Sequence, residues 1–178
     1  MSVPRRTVAA MERSPLAGPR LVPWAEGDFD LLVACNSAEM TAHLGGPETP
    51  EQLVSRHRRY LTLEDRGQMF RIEVDGDAAV GSIGYWETSW QGAFIWETGW
   101  SVLPAFQGRG IAAGAARLIV EEARAAGRHR RLYAFPSADH AASNGVCRKA
   151  GFTPGGEHDF EYPKGHWMRC NDWSVDLR

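Results

Sequence analysis

The chain has 178 residues, 43% hydrophobic and 24% charged, which is enough for one substantial core and short for two domains. With 20 Lys and Arg against 22 Asp and Glu the formal net charge is -2, so the basic excess that marks recognition of a nucleic-acid backbone is missing. Cys35, Cys147 and Cys170 are far apart, with no CxxC pair and no histidine at metal spacing, which speaks against a zinc site or a disulfide framework and fits a reducing, cytoplasmic setting.

Residues 1–19 read as a flexible N-terminal arm, with residues 20–178 as the single folded domain. The arm's apolar patch Val8–Met11 is too short for a signal-peptide core, and no apolar run reaches the ~20 residues of a membrane span. The four arginines against one acid in residues 1–20 are compatible with a transit peptide, an unordered arm, or an extension upstream of a start at Met11.

From Arg20 to Trp24 the chain reads as a short strand, and Asp28 as the cap of a helix carrying Phe29, Leu31, Leu32 and Val33. Gly45-Gly46-Pro47 breaks the chain. Thr49-Pro50-Glu51-Gln52 then gives an N-cap, a first-turn proline and a capping-box glutamine, predicting a helix that ends near Gly67. The period changes at Met69: Phe70, Ile72 and Val74 alternate with Arg71, Glu73 and Asp75, and Asp75-Gly76-Asp77 predicts a hairpin turn. A strand through Val80, Ile83 and Tyr85 follows, then a loop at Thr88–Gly92. In the next strand Phe94, Trp96, Thr98, Trp100 and Val102 share one face, and Ile95, Glu97, Gly99 and Ser101 the other. After the helix that begins near Gly110, a strand at Arg131–Phe135, a helix at Ala141–Ala150 and strands around Phe160 and over Met168–Val175 complete the order.

Gln107-Gly108-Arg109-Gly110-Ile111-Ala112 falls where a strand gives way to a helix. A helix's first turn exposes backbone N–H groups with no internal partner, and the aligned peptide dipoles add a partial positive charge. Gly108 and Gly110 leave the backbone bare for an anion, and Gln107 or Arg109 can close over it. No Gly-Lys-Ser/Thr follows, and a dinucleotide fingerprint would need glycine at Ala113, so a pyrophosphate held by backbone is the better reading; a glycine-rich helix entry that binds nothing is the alternative.

These residues resemble the Q/R-x-x-G-x-G/A signature of the GNAT superfamily of acetyl-CoA-dependent N-acyltransferases. His140-x-x-Ser143-Asn144-x-Val146-x-x-Lys149-x-Gly151-Phe152 is similar to a second family segment, and Glu97-Thr98-Gly99-Trp100 resembles the strand of its RimJ/RimL-type branch. The resemblance implies an α+β fold: a mixed, mostly antiparallel seven-stranded sheet, splayed between the fourth and fifth strands and flanked by about four helices. It implies acetyl-CoA as acyl donor, its pantetheine arm against main chain near Val102 and its pyrophosphate on the amides of Gln107, Gly108, Arg109, Gly110, Ile111 and Ala112. The implied reaction is direct attack of a primary amine, a protein N-terminus or a small molecule, on the thioester, with no metal and no covalent acyl-enzyme.

Direct attack needs a base for the amine and a proton donor for the thiolate. Glu97 interrupts an apolar strand between Trp96 and Thr98, and a carboxylate desolvated by tryptophans has a raised pKa, so it is the candidate base; a solvent-facing or substrate-positioning glutamate is the alternative. Many relatives carry a tyrosine where this chain has Cys147, which leaves Ser143 as candidate acid, with capping of the helix as its alternative role. His140 replaces a frequent asparagine and is a candidate coenzyme contact. Trp86 and Trp90 are candidate walls of the acceptor pocket, while core packing is expected of Trp24, Trp96, Trp100, Trp167 and Trp173. Arg56–Arg59 reads as an exposed helix face, with recognition of an acidic acceptor as the alternative. Arg128–Arg131 reads as a solvated helix end about 30 Å from the anion site. The missing tyrosine, His140 and Gly114, where this branch often has glutamate, keep open a catalytically impaired acyl-CoA-binding module. Relatives in this branch are often homodimers.

Overall fold

The computed structural model describes residues 18–74, 78–161 and 164–178. Seven strands form one sheet in the order β1-β2-β3-β4-β5-β7-β6: β1 (Arg20–Pro23), β2 (Gly67–Val74), β3 (Ala78–Trp90), β4 (Ala93–Val102), β5 (Arg131–Ala134), β6 (Thr153–Glu161) and β7 (Trp167–Asp176). Every neighbouring pair is antiparallel except β4 and β5. Four α-helices accompany them: α1 (Phe29–Ala34), α2 (Pro50–Leu61), α3 (Ile111–Ala126) and α4 (Ala141–Lys149). The expected seven-stranded mixed sheet with four helices is therefore what the chain forms. Most of residues 1–19 and the whole Asp75–Asp77 turn lie outside the described residues.

Both faces of the sheet are covered. On one, Ile72, Val80, Ile83, Trp96 and Val102 pack against Ile111, Ala115, Ala116, Ile119 and Ala123 of α3. Ala115, Ala116 and Ala123 are wholly buried, and their small side chains let the helix approach the strands closely. On the other face Trp24, Leu31, Leu32, Leu53 and Leu63 form a second core with Met69, and Trp86 packs against it.

Several boundaries differ from the sequence reading, each for a local reason. The capping box forms as predicted, with Thr49 Oγ1 accepting from Gln52 N–H and Gln52 Oε1 accepting from Thr49 N–H. Helix α2 nevertheless ends at Leu61, because the buried Leu63 leads into a 3-10 turn at Glu64–Arg66 and β2 starts at Gly67. Thr88–Trp90 is strand, not loop: Trp90 pairs with Ala93, and only Gln91 and Gly92 turn the chain, both at positive φ, as a two-residue hairpin requires. Asp28 precedes α1 without capping it; its carboxylate accepts from Ala25 N–H and from Arg71. Phe94 and Trp167 are 67% and 65% exposed, so Trp167 leaves the expected core.

The two basic runs keep exposed arginines but each includes a histidine turned inward. His57, within Arg56–Arg59, is buried, and its Nδ1 accepts from the Trp24 indole at 3.0 Å. In the other run Arg128 pairs with Asp65 and Glu87, His129 with Glu87, and Arg130 with Asp176. These pairs link the end of α3 to the Glu64–Arg66 turn, β3 and β7, while Arg128, Arg130 and Arg131 stay exposed, as expected of a solvated helix end.

Candidate active site

Strand β4 touches β5 through two residue pairs only, Trp96–Leu132 and Glu97–Tyr133. Beyond Glu97 the strands part, because the chain after β5 follows β7 instead. Asn171 N–H donates to Pro136 O, Ala138 N–H donates to Arg169 O, and Ser137 bridges to Cys170. On its other side β4 stays paired with β3 to Val102, and Leu103 N–H donates to Val80 O at 2.8 Å. Antiparallel alternation turns the main-chain groups of Thr98, Trp100 and Val102 away from β3; the Glu97–Tyr133 pairing takes up Thr98 N–H and Gln107 takes up Val102 O, which leaves Thr98 O, the Trp100 N–H and C=O, and Val102 N–H facing the gap. The predicted splay between the fourth and fifth strands is thus present, and it begins at Glu97.

Glu97 is partly buried directly across from Trp86. Burial pushes its carboxyl up to about 7, and a hydrogen bond from the Trp86 side chain offsets part of that rise. A Cβ on Gly99 would come 3.0 Å from the Trp86 ring, so the glycine two residues after Glu97 is what lets the indole lie flat across the strand.

At the entry to α3, Gly108 and Gly110 have φ of 71° and 78°, the left-handed region that favours glycine, and a Cβ on either would meet nothing within 4 Å. Gly110 is the N-cap and no side chain caps the helix; the first helical bond runs from Gly114 N–H to Gly110 O at 2.9 Å. The amides of Ile111, Ala112 and Ala113 therefore have no intrahelical acceptor. Gln107 differs from the expectation that it closes over an anion: its side-chain amide donates to Val102 O at 2.8 Å. The Arg109 guanidinium lies 5.4 Å from the centre of the Phe106 ring. A Cβ at Gly114 would strike the Pro19 ring, so the segment entering β1 occupies the place where a glutamate side chain would stand.

Beside the splay, a cleft of about 360 Å³ is lined by His43 from the α1–α2 connection, Ser137 and Asp139 from the β5–α4 connection, and His166, Met168 and Arg169. Neither Trp86 nor Trp90 lines it. Trp90 instead packs on Phe135 at 4.7 Å and on His158 at 5.3 Å. His140 is the N-cap residue of α4, and its ring stacks on His43 at 4.1 Å. Ser143 lies inside α4 rather than at its cap, and among the described residues its hydroxyl makes no hydrogen bond. Cys147 is fully buried, with its thiol pushed up to about 12 by desolvation, so it does not replace the missing phenol as a donor.

Over residues 20–153 the sequence matches the acetyltransferase (GNAT) domain family. The chain belongs to this family. The fold is similar to a GNAT acetyltransferase from Bacillus anthracis, at 17% identity over 92% of this chain and 97% of that one, with a TM-score of 0.74. A spermidine N-acetyltransferase from Vibrio cholerae, solved with CoA and spermine, is 13% identical over 89% and 95% of the two chains, with a TM-score of 0.73. An acetyltransferase from Salmonella typhimurium that modifies the N-terminal serine of ribosomal protein L7/L12 is 21% identical over 90% and 96%, with a TM-score of 0.73. No curated protein sequence matches the chain. Among the described residues no helix is long and apolar enough to cross a membrane, and no group of three His, Cys, Asp or Glu side chains could hold a metal ion.

In this GNAT domain the residue that sequence reasoning undervalued is Asn144. It is buried; its amide donates to Ser137 O and His140 O, and its Oδ1 accepts from the Asn171 side chain and the Trp173 indole. It therefore fixes the loop that carries Asp139 and His140 to both α4 and β7. The signal was present, since an asparagine on the inward side of an apolar helix needs partners, but those partners are contributed by distant strands. His43 carried no local signal, because only the tertiary fold brings it against Asp139 and His140.

Proposed function

We propose that this acyltransferase moves an acetyl group from acetyl-CoA to a primary amine by direct attack on the thioester, in the manner of the RimJ/RimL-type branch that Glu97-Thr98-Gly99-Trp100 resembles. The observation that carries the reading is the branch point itself: a partly buried carboxyl near 7 stands where β4 leaves β5, with the open N–H groups of Trp100 and Val102 beyond it. An acyl-thioester arm laid along those amides supplies the electrophile. The coenzyme pyrophosphate rests on the backbone of residues 107–112, where bare glycines and an uncapped helix suit an anion.

Glu97 is the base for the attacking nitrogen, since a carboxyl near 7 is half ionised at neutral pH and accepts a proton there. A main-chain N–H near Val102 steadies the oxyanion. Ser143, its hydroxyl uncommitted, donates to the leaving sulfur directly or through water. The open cleft beside the splay is the proposed entry for the acceptor, a small-molecule amine or a protein N-terminus. The test is release of free thiol from acetyl-CoA with a panel of amines and N-terminal peptides. Turnover with at least one acceptor is expected, and Glu97→Gln should lower kcat by about a hundredfold while leaving coenzyme affinity within about twofold. Unchanged turnover in that variant would remove Glu97 from the mechanism; coenzyme binding with no thiol release from any acceptor would leave a binding module.

A further inference from the structure

Acylation of an amine involves two nitrogen-bound protons, and Glu97 accounts for one. A primary amine enters water-equilibrated as R–NH3+, which has no lone pair, so one proton must leave before attack. The second leaves after attack, when the nitrogen bonded to the acyl carbon is again positively charged. A single carboxyl at the splay serves the second step but is already occupied if it has just taken the first proton.

The cleft holds a group suited to the earlier step. His43 Nδ1 stands 3.2 Å from Asp139 Oδ1, and the His43 ring is held flat against His140, with 11° between their planes. Ser137 donates its hydroxyl proton to the same Asp139 oxygen. With Nδ1–H donating to the carboxylate, Nε2 carries the lone pair, and among the described residues it has no protein partner. The neighbouring charges are accounted for from each element around the cleft. The Ser137 hydroxyl, and after it His43, hold the Asp139 carboxyl below the usual carboxylate range, so it remains an acceptor. Burial, and then His43, push His140 down. Arg169 is engaged by Glu157 and Asp159, each at 3.2 Å, and His166 stands on the β6–β7 side. Ser137, which lines the cleft and bridges Cys170, belongs to the segment that leaves β5, so the cleft adjoins the branch point.

We propose that His43, its tautomer fixed by Asp139, accepts the first proton from the acceptor ammonium in this cleft and passes it to solvent, delivering a neutral amine to Glu97. In the balanced step the N–H bond of R–NH3+ breaks, its electron pair stays on nitrogen, and the proton joins His43 Nε2. This inference rests on the acyltransferase reading above.

The experiment compares wild type, His43→Gln and Asp139→Asn on two acceptors: the best amine of the panel, and its β,β,β-trifluorinated analogue, which is largely neutral at pH 7. For the basic amine at pH 7, kcat/KM in His43→Gln should fall by about a hundredfold, and in Asp139→Asn in the same direction by less. For the fluorinated amine both variants should stay within about twofold of wild type, and raising the pH above the basic amine's own pKa should restore His43→Gln. Equal losses on both amines, persisting at high pH, would mean that His43 only supports the loop and would overturn the proposal, as would no loss on either. If His43→Gln does not fold, Asp139→Asn carries the same comparison. Wild type that binds acetyl-CoA but acylates no amine would overturn the proposed function itself, and with it this inference.

Discussion

At the scale of single residues, Glu97 couples activity to stability with opposite signs. In its proposed role as base it works ionised, so with a neutral acceptor the single-turnover rate should rise as pH increases through about 7. Its folded pKa of about 7 lies above the ordinary value of 4.5, so between these limits the folded protein holds the proton more tightly than the unfolded chain. Stability from this group is therefore present at low pH and lost as pH rises through that window. Glu97→Gln should unfold at higher denaturant than wild type at pH 8, by on the order of 2 kcal/mol after discounting for partial exposure, and should match it at pH 4. Much of this was legible beforehand: an acid between Trp96 and Thr98 in a strand announces desolvation. What was hidden is that Trp86, eleven residues earlier, donates to it from the facing strand, because cross-strand register is not written in either segment alone.

At the scale of elements, the α3 entry was readable from Gln107 to Ala112 because positive φ and an uncapped first turn leave a glycine signature. Gly110→Ala tests the two consequences separately. Nothing lies within 4 Å of the new Cβ, so its folding cost is the left-handed backbone alone, about 1 kcal/mol by denaturant titration. Coenzyme affinity should drop more steeply, by about tenfold or more in a binding isotherm, because the methyl stands where an anion would touch backbone. The β3–β4 hairpin was less legible: Thr88-Ser89-Trp90-Gln91-Gly92 has loop-like composition, yet its first three residues pair through to Trp90–Ala93. Burial of Trp90 against Phe135 and His158 outweighs that local preference. Helix α2 was misjudged in the other direction, since hydrophobic spacing continues past Leu61 to a Leu63 that is buried from a turn instead.

At the scale of the molecule, two half-sheets, β1–β4 and β5–β7–β6, meet through two register pairs and the helices that span them. The order of strands could be read from alternating period and turn residues; their separation was legible only through the family resemblance, since it arises when Pro136 to Ala138 bond to β7. A ligand lying in that gap adds contacts to both halves and binds only the folded state. Acetyl-CoA should accordingly raise Tm in a concentration-dependent way, by an amount equivalent to about 2.7 kcal/mol at a hundred times its Kd, and in differential scanning fluorimetry a flat response would argue against binding there. The three thiols are set apart from this traffic: Cys35, Cys147 and Cys170 are all buried, with burial pushing them up to about 11, 12 and 11. In the native fold they are protonated and shielded at neutral pH, so a colorimetric thiol reagent reads the coenzyme product against a quiet protein background, and a rising background becomes a direct report of unfolding.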